Sequence, residues 1–529
     1  MNKTQCLSTG LLLLMTSTLF GQDVYEKNLS ADVQNYVFSL KLNDDNNKIE
    51  GEASITVNFD SKIETFALDL IGQSGAYGME VRSVSSKGKN VTYEHAGDKI
   101  KIRDVEPGAN TFKIQYRGIP ERGLVIDTTK FGQRSIFGDN WPNLARHWLP
   151  CVDHPYDKAT VEFRVTAPDH YDVVATGEKV EESSLGNANK LTTYFEPAPV
   201  AMKNVTIGVT RFATKILGTA GNVPVSAWVY PENRLDGFSD YQVAVKVMDY
   251  FIENVGPYPF AKLANMQAKT QWGGLENAGT ISYFENSVTG ENEVEGLIAH
   301  EIAHQWFGNS ATENSWNHVW LSEGFATYFA TLYLESVYGD ERRREESNKD
   351  RTEVIDYYKK NPSSVVDNSI KNPLKVLSPN SYQKGGWALN MLRRQLGDEV
   401  FWEGIRAYYE TYEKSNAMTE DFQRVMEKVS EQDLSVFFKQ WIYTKGYPEL
   451  QWNWEYTKKK VILKVNQKQD HFVFKFPLEV GLEVNGETKT EKVQVDDRSK
   501  TFEFSMETKP SSIVLDPEVW LLFEDLRNQ

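Results

Sequence analysis

Residues 296–328 read GLIAHEIAHQWFGNSATENSWNHVWLSEGFATY and carry a His-Glu-x-x-His motif with a further glutamate downstream. His300 and His304 are four positions apart, so a helix places both imidazoles on one face about one turn apart. Glu323 follows after eighteen intervening residues, and Glu301 lies between the two histidines. Two imidazoles and one carboxylate, with a fourth position left for water, are the ligands of a catalytic rather than a structural zinc ion. The segment therefore predicts a hydrolase site that binds one Zn²⁺ ion.

The same motif can also arise by chance on a solvated helix, and its surroundings decide between the two interpretations. Apolar residues around the motif indicate a buried helix, in which unpaired charge would be costly; they are Leu297, Ile298, Ile302, Trp306 and Phe307. Gly308 is placed to end that helix and turn the chain back. Residues 319–337 resume helical apolar spacing and carry Glu323 in their first turns. These features favour a metal site.

The length and charge of the chain limit the classes of protein to which it can belong. At 529 residues it is too long for one hydrophobic core, and we expect about two to four domains. Its hydrophobic content of 40% and charged content of 25% are ordinary for a soluble globular protein. The formal net charge of -16 argues against a nucleic-acid partner, because the phosphate backbone requires basic surface.

Residues 1–21 have the pattern of an export signal. Lys3 supplies a positive start, residues 11–20 a short apolar run and Gly21 a small residue at a cleavage point. A run of ten residues is too short to span a bilayer, and no later run is long and apolar enough, so we expect no membrane span in the mature chain. Removal of the signal leaves Cys151 as the only cysteine, which excludes an internal disulfide. The expected location is periplasmic or extracellular.

Three regions of different periodicity follow the signal. Residues 22–212 contain alternating apolar and polar runs, which predict an amino-terminal β domain of sandwich-like or saddle shape. Residues 213–445 begin with a β-like connector and then show mainly helical periodicity, which predicts a mixed catalytic domain around the zinc motif. Residues 446–529 return to a period of two and include Asn485-Gly486, a strong hairpin signal, so they predict a β-sandwich. The predicted fold class is multidomain α+β.

A second candidate site lies upstream of the zinc motif, in Gly273-Gly274-Leu275-Glu276-Asn277. Two glycines let a backbone approach a ligand closely, and a carboxylate after them can pair with an ammonium group. Taken alone, a Gly-Gly turn followed by a solvated glutamate is the commoner case. Together with the zinc motif, the segment becomes a strong candidate.

Several separate segments of the chain resemble one enzyme family. In chain order they are ARHWLPCVDHPYDKATVEF, GGLEN, HEIAHQWFGN, WLSEGFATY, SYQKGGWAL and FFKQWIYTKGYPEL. Together they resemble the zinc aminopeptidases of the gluzincin type, a family that includes alanyl aminopeptidases, aminopeptidase N, aminopeptidase B and the leukotriene hydrolase. The resemblance covers nearly the whole mature chain. It implies a β-saddle amino-terminal domain, a thermolysin-like catalytic domain dominated by helices and a carboxy-terminal β-sandwich.

The resemblance implies a role for each residue of the zinc motif. His300, His304 and Glu323 match the zinc ligands, and Glu301 matches the general base that acts on a metal-activated water. Tyr382, in the segment SYQKG, matches the tyrosine whose hydroxyl stabilises the oxyanion. Without the resemblance, Tyr382 would be interpreted as an aromatic residue at the start of a helix.

The segment Gly273, Gly274, Leu275, Glu276 and Asn277 matches the edge on which the peptide lies in this family. Glu276 matches the residue that holds the free α-ammonium group, so the implied partners are peptides with a free amino terminus. Anchoring that terminus fixes which carbonyl reaches the zinc. The resemblance therefore implies removal of one residue at a time.

The sequence departs from the family pattern in three places. Leu275 stands where methionine is usual, and Ser322 stands where asparagine is usual, which alters a contact next to the third zinc ligand. Asp139-Asn140-Trp141 replaces a Gln-x-Glu pair, which leaves the second carboxylate for the substrate amine unassigned. Asp139 is the candidate replacement.

Three other functions remain open from the sequence. A leukotriene-type epoxide hydrolase is favoured by the Gly-Gly pair and by Trp316-x-His318, but Leu377 stands where that enzyme has an aromatic residue. A non-catalytic scaffold of the same fold would usually have lost ligands, and this chain has all three. A thermolysin-type endopeptidase conflicts with Glu276, which would close the site to a continuing chain.

The sequence leaves the preferred amino-terminal side chain open. Trp141, Trp272 and Leu275 either line that pocket or belong to an ordinary core. It also leaves the oligomeric state and the physiological peptide open.

Overall fold

The computed structural model describes residues 24–527, so the expected export signal at residues 1–21 lies outside the described part of the chain. In that part, no helix is long and apolar enough to cross a membrane. A strand-rich region comes first, a helix-dominated region follows, and strands return at the end. The predicted multidomain α+β class is therefore confirmed.

The amino-terminal region is built from strands whose side chains alternate between a core and solvent. The strands are β1 (Ala31–Lys41), β2 (Ile49–Phe59), β3 (Ile63–Asp69), β4 (Gly78–Ser86), β5 (Lys89–Asn90), β6 (Tyr93–Ala96), β7 (Lys99–Val105), β8 (Gly108–Ile119), β9 (Leu124–Thr128), β10 (Arg134–Gly138), β11 (Ala159–Pro168), β12 (Asp172–Ala175), β13 (Glu178–Gly186), β14 (Asn189–Val200) and β15 (Ile207–Thr210). In β1, for example, Tyr36, Phe38 and Leu40 are buried while the residues between them are partly exposed. This period of two is what a half-buried strand requires.

These strands form three sheets. The largest has eight strands in the order β13-β14-β11-β1-β2-β8-β4-β5, and a smaller one has the order β3-β7-β6. A third sheet, in the order β12-β15-β10-β9, ends beside the helix-dominated region. One apolar core runs between the sheets, which is how strands with one apolar face become stable.

The middle region combines a five-stranded sheet and a two-stranded sheet with helices. Its elements are β16 (Ala213–Ala220), β17 (Val223–Val229), α1 (Arg234–Asp240), α2 (Ala244–Asn254), β18 (Leu263–Ala268), β19 (Gly274–Leu275), β20 (Thr280–Phe284), α3 (Glu295–Ala303), β21 (Ala311–Glu313), α4 (Trp320–Tyr338), α5 (Asp340–Tyr358), α6 (Gly385–Leu396), α7 (Asp398–Tyr412), β22 (Ser415–Ala417), α8 (Thr419–Ser430) and α9 (Ser435–Phe438). The five-stranded sheet has the order β16-β17-β18-β20-β19, so the short strand β19 forms its edge, and the two-stranded sheet is β21-β22. Helices α3 and α4 pack together in the core of this region.

The prediction that residues 213–445 are mainly helical after their β-like connector is correct only in part. Between the end of α5 and residue 380 the chain forms no α-helix. Pro362, Pro373 and Pro379 interrupt this stretch, and proline lacks the amide hydrogen that a helix interior requires. The irregular stretch brings the chain back to the cavity described below.

The last region is a two-layer β structure, as predicted. Its strands are β23 (Glu449–Thr457), β24 (Lys460–Gln467), β25 (Phe476–Val484), β26 (Glu487–Val495), β27 (Ser499–Ser505), β28 (Ser512–Leu515) and β29 (Glu524–Asp525). They form sheets in the orders β27-β24-β23-β29 and β26-β25-β28. Asn485 and Gly486 connect β25 to β26 with φ angles of 54° and 85°, the left-handed geometry of a two-residue hairpin.

Candidate active site

Helix α3 carries the His-Glu-x-x-His motif at its carboxyl end. His300 and Glu301 lie in its last turn, and His304 follows directly with φ -57° and ψ -25°, which continues the helical geometry. The helix ends at Ala303, earlier than the predicted stop at Gly308. The chain instead turns through hydrogen bonds from amide groups to carbonyls five residues earlier, in the pairs Asn309 to His304, Ser310 to Gln305 and Ala311 to Trp306. The four-residue spacing of the two imidazoles is preserved because His304 keeps helical angles.

The three predicted metal ligands lie together. His300 Nε2 and His304 Nε2 are 3.1 Å apart, and Glu323 Oε2 lies 3.5 Å from the first and 3.2 Å from the second. Glu323 is in the first turn of α4, which packs against α3. One cation can therefore contact all three side chains.

Contacts at Nδ1, on the side of the ring away from the triad, orient the imidazole of His304. Its Nδ1 lies 3.2 Å from the Phe307 carbonyl oxygen and 3.0 Å from the hydroxyl of Ser322. An Nδ1–H that donates to that carbonyl leaves Nε2 as the free lone pair toward Glu323, which is the tautomer a metal ligand needs. Ser322, the residue that departs from the family pattern, thus supplies a short hydroxyl contact to a ligand.

The charge at the centre of this triad favours a cation. Burial lowers the pKa of His304, but the Glu323 carboxylate more than offsets that and raises it to about 9. Burial lowers the pKa of His300, so this second imidazole is neutral at pH 7. Without a metal ion His304 therefore holds a proton next to Glu323, and a divalent ion would take the place of that proton and use one lone pair of each imidazole and of the carboxylate. The donor set fits zinc.

Glu301 faces the same cavity without belonging to the ligand triad. Burial raises the pKa of its carboxyl well above the usual value, and Glu276 and Glu323 add to that shift. Gly274, in the edge strand β19, lies directly against this carboxylate, where a β-carbon would overlap it. The second glycine of the pair therefore makes room for Glu301.

We expect Gly274→Ala to displace Glu301 and to lower turnover by about 10²-fold, since a misplacement of about 1 Å can cost that much. Bound zinc should stay at one equivalent, because the ligands are untouched. Gly296→Ala is the matched control: it lies in α3 but does not line the cavity, and its added carbon would meet only Leu334 at 3.8 Å, an ordinary contact. Rates and zinc content measured on both variants check this; equal loss of rate in the two would contradict it.

Tyr382 lies at the cavity in a π-helical turn that precedes α6. Its ring stacks on His300 with centroids 6.0 Å apart. Tyr382 reaches the cavity because helix α4 passes very close to the start of α6. A β-carbon on Gly324, next to the predicted ligand Glu323, would lie 2.9 Å from the backbone of Gly385. Two glycines let α4 and the start of α6 approach this closely. The hydroxyl is placed to donate a hydrogen bond beside the triad.

The predicted substrate segment borders the same cavity, which has a volume of about 360 Å³. Gly273, Gly274, Leu275 and Glu276 line it. Because β19 is the edge of its sheet, the side of this strand that does not face β20 is available to an extended peptide. Asn277 is different: it is buried, and its amide donates to the Ser282 hydroxyl at 3.3 Å instead of lining the cavity.

The carboxylate of Glu276 is held by groups that the sequence did not single out. Trp141 Nε1 donates to Glu276 Oε1 at 2.8 Å, and Asn204 Nδ2 donates to the same oxygen at 3.4 Å. Lys203 Nζ lies 4.0 Å from that oxygen and 2.8 Å from Glu313 Oε1. Lys203, Glu276 and Glu313 are all buried, and the one lysine is shared by the two carboxyl groups, with the shorter contact to Glu313. No sequence motif marks Lys203 or Glu313 as part of the site, because the two residues lie in different regions of the chain and meet only in the folded structure.

Two residues just after the zinc motif hold the backbone of this segment. Gln305 Nε2 donates to the Glu276 carbonyl oxygen at 2.9 Å, and its Oε1 accepts from the Gly279 amide at 2.9 Å. Asn309 donates to the same carbonyl oxygen of Glu276. The zinc helix and the substrate segment are therefore one hydrogen-bonded unit.

Asp139 does not reach the cavity. Its carboxylate is buried and accepts hydrogen bonds from the Thr270 hydroxyl at 3.1 Å and from Trp272 Nε1 at 3.2 Å. The residue of that segment that meets Glu276 is Trp141. The hypothesis that Asp139 supplies a second carboxylate to the substrate amine has no support from this geometry.

Two family models match the chain. Residues 32–202 match the peptidase M1 N-terminal domain, and residues 240–441 match the peptidase family M1 domain. The first covers most strands of the amino-terminal region, and the second contains all three members of the ligand triad.

Similar proteins carry aminopeptidase names. The chain is 27% identical over 490 residues to "Probable aminopeptidase 2" of Sulfurisphaera tokodaii, covering 88% of this chain and 59% of that protein. It is 30% identical to "Aminopeptidase M1" of Arabidopsis thaliana, covering 64% of this chain and 41% of the relative, and 29% identical to human "Glutamyl aminopeptidase", covering 60% and 34%. The chain thus spans about a third to three fifths of the length of these relatives.

A solved structure shares the fold. The crystal structure of Legionella pneumophila aminopeptidase A in complex with aspartic acid superimposes with a TM-score of 0.83 over 95% of this chain and 60% of that one, at 18% identity. At this identity the likeness concerns the architecture.

Proposed function

We propose that this chain, which belongs to peptidase family M1, is a zinc-dependent aminopeptidase that removes the amino-terminal residue of peptides. One observation carries the proposal: the buried carboxylate of Glu276 and the ligand triad open into the same cavity. The first offers a partner to an ammonium group, and the second binds the ion that polarises a carbonyl. The aminopeptidase names of the relatives support it, and they lend no support to the epoxide-hydrolase or scaffold hypotheses.

The ligand triad, Glu301 and Tyr382 each have a separate role in the proposed reaction. When bound to His300, His304 and Glu323, zinc supplies Lewis-acid polarisation of the scissile carbonyl and lowers the pKa of a water to about 7. Glu301 accepts the proton of the attacking water and delivers it to the departing amine, because it lines the cavity beside the triad without being one of the three ligand residues. Tyr382 donates a hydrogen bond to the oxygen that becomes negative.

Glu276 and the free side of β19 fix the position of the substrate. An ammonium group beside Glu276 would give this carboxylate a closer cationic partner than Lys203, whose Nζ lies 4.0 Å away and only 2.8 Å from Glu313. The extended backbone pairs with the edge strand, as peptides commonly do at sheet edges. Because the terminus is held, only the first peptide bond reaches Glu301.

The proposal is tested with an alanyl amide reporter and the same reporter acetylated on its amine, each incubated with zinc-loaded protein. We expect cleavage of the free amine and a rate at least about 10²-fold lower for the acetylated form, because acetylation removes the charge that pairs with Glu276 and a buried unpaired charge is costly. Equal cleavage of both would refute the exopeptidase assignment. Cleavage of neither would refute the enzymatic one.

A further inference from the structure

An apolar cluster separate from the main cores lies at the catalytic cavity. Its buried members are Trp141, Leu275, Trp316, Val319 and Val376, and the half-buried Trp272, Ile370 and Leu377 pack against it. Trp141, Trp272, Leu275 and Leu377 also line the cavity. Trp272 and Leu377 are half-buried, so both keep apolar surface exposed there that residues 24–527 leave partly uncovered.

Two indoles of this cluster are fixed by buried carboxylates. Trp141 donates through Nε1 to Glu276 at 2.8 Å, and Trp272 donates through Nε1 to Asp139 at 3.2 Å. Asp139 is fixed in turn by the Thr270 hydroxyl. The two rings lie edge to face with centroids 6.5 Å apart. Each indole N–H is satisfied, so each ring presents its apolar surface in one orientation.

The charges around the cavity exclude an acidic side chain. Of the described residues that line it, none is a lysine or an arginine, while three are glutamates. Lys203 is near but lies behind the indoles of Trp141 and Trp316, 5.7 Å and 5.8 Å from their centroids, with its charge on Glu313. The triad would hold its ion at the scissile carbonyl, so a carboxylate in the side-chain pocket would find no lysine or arginine among the described lining residues to pair with.

The walls left for the first side chain follow from the two anchored groups. With the ammonium beside Glu276 and the carbonyl between Glu301 and Tyr382, the side chains that remain to line the cavity are all apolar: Trp141, Trp272, Leu275, Leu297 and Leu377. Resting on the proposed function, we infer that this pocket is an aromatic slot that selects peptides with a large apolar amino-terminal residue, phenylalanine or leucine. We assign Asp139 as the positioning residue that holds the Trp272 wall.

Kinetics on a panel of aminoacyl amide reporters test the slot. For the zinc-loaded protein, kcat/KM should be about 10-fold or more higher for phenylalanyl and leucyl than for alanyl reporters, the scale on which apolar pockets discriminate. It should be lowest for the glutamyl reporter. A preference for glutamyl, arginyl or alanyl reporters would overturn the slot while leaving aminopeptidase activity in place.

Variants of the wall test the role of Asp139. Trp272→Ala and Asp139→Ala should each lower the phenylalanyl-to-alanyl ratio of kcat/KM by about 10-fold, by removing the wall or releasing it. Asp139→Asn is the matched control, because its carbonyl oxygen still accepts from Trp272 and its amide can donate to Thr270. It should keep the wild-type ratio. If Asp139→Ala also kept that ratio, or if Asp139→Asn lost it as fully, Asp139 would not position the wall.

A binding measurement separates failure of the slot from failure of the chemistry. Calorimetry on zinc-loaded Glu301→Gln should give a Kd about 10-fold lower for L-phenylalaninamide than for L-alaninamide, and weaker binding of glutamic acid α-amide. Equal Kd values for the three amides would overturn the slot. The ranking does not depend on turnover, so it holds or fails even if no reporter is cleaved.

Discussion

Glu301→Gln is expected to lower kcat by on the order of 10³- to 10⁴-fold, the contribution of a positioned general base and acid. Glutamine fills the same space beside Gly274 but cannot accept the proton of the attacking water. Zinc should remain at one equivalent, since His300, His304 and Glu323 are unchanged. Steady-state kinetics and metal analysis of the purified variant are the measurements.

Glu295→Gln is the matched control for this prediction. Glu295 lies in the same helix, α3, but its carboxylate accepts hydrogen bonds from Tyr333 and Tyr338, away from the cavity. The same chemical change there should leave kcat within about 3-fold of wild type, as surface changes usually do. A fully active Glu301→Gln, or equal losses in both variants, would show that Glu301 is not the base.

Glu276→Ala should lower kcat/KM for free-amine reporters by about 10³-fold, as expected when one partner of a buried charge pair is removed. The ammonium group would then meet Lys203 without an intervening carboxylate, since Lys203 Nζ lies 4.0 Å from Glu276 in the wild type. Zinc content should not change, because Glu276 is not among the three ligand residues. The measurements are kcat/KM for the alanyl reporter and the zinc content of the purified variant.

Glu276→Gln tests whether the charge of Glu276, and not the shape of its side chain, is what the substrate requires. Glutamine keeps an oxygen that accepts from Trp141 Nε1, so the wall and the cavity stay in place. It lacks the charge that pairs with an ammonium group, and its loss should approach that of Glu276→Ala. A wild-type rate for Glu276→Gln, or loss of zinc in either variant, would mean that Glu276 has another role.

The local part of the site could be predicted because it depends on spacing. The four-residue interval of His300 and His304 gives one helix face, and the structure places both imidazoles against Glu323. The next helix was expected at residues 319–337 and forms at Trp320–Tyr338. The hairpin at Asn485-Gly486 followed from the positive φ that these residues tolerate. Each of these predictions depends only on residues that are close together in the sequence.

Predictions that needed distant partners were less accurate. Helix α3 ends at Ala303 because the residues after it turn toward the substrate segment, where Gln305 and Asn309 hold the Glu276 carbonyl. Asp139 was a candidate for the substrate amine, yet it bonds to Thr270 and Trp272. Neither partner is near Asp139 in sequence.

The sequence by itself determined that His300, His304 and Glu323 come together and that β, mixed and β regions follow in this order, because helix and strand periods are visible within a few residues. Only the tertiary structure decided what surrounds Glu276. Lys203 arrives from the amino-terminal region and Glu313 from the strand after the zinc helix, and their charges matter to Glu276 only because folding buries all three within 4.0 Å contacts. Electrostatic interactions of this kind depend on distance and burial, and neither quantity is encoded in spacing along the chain.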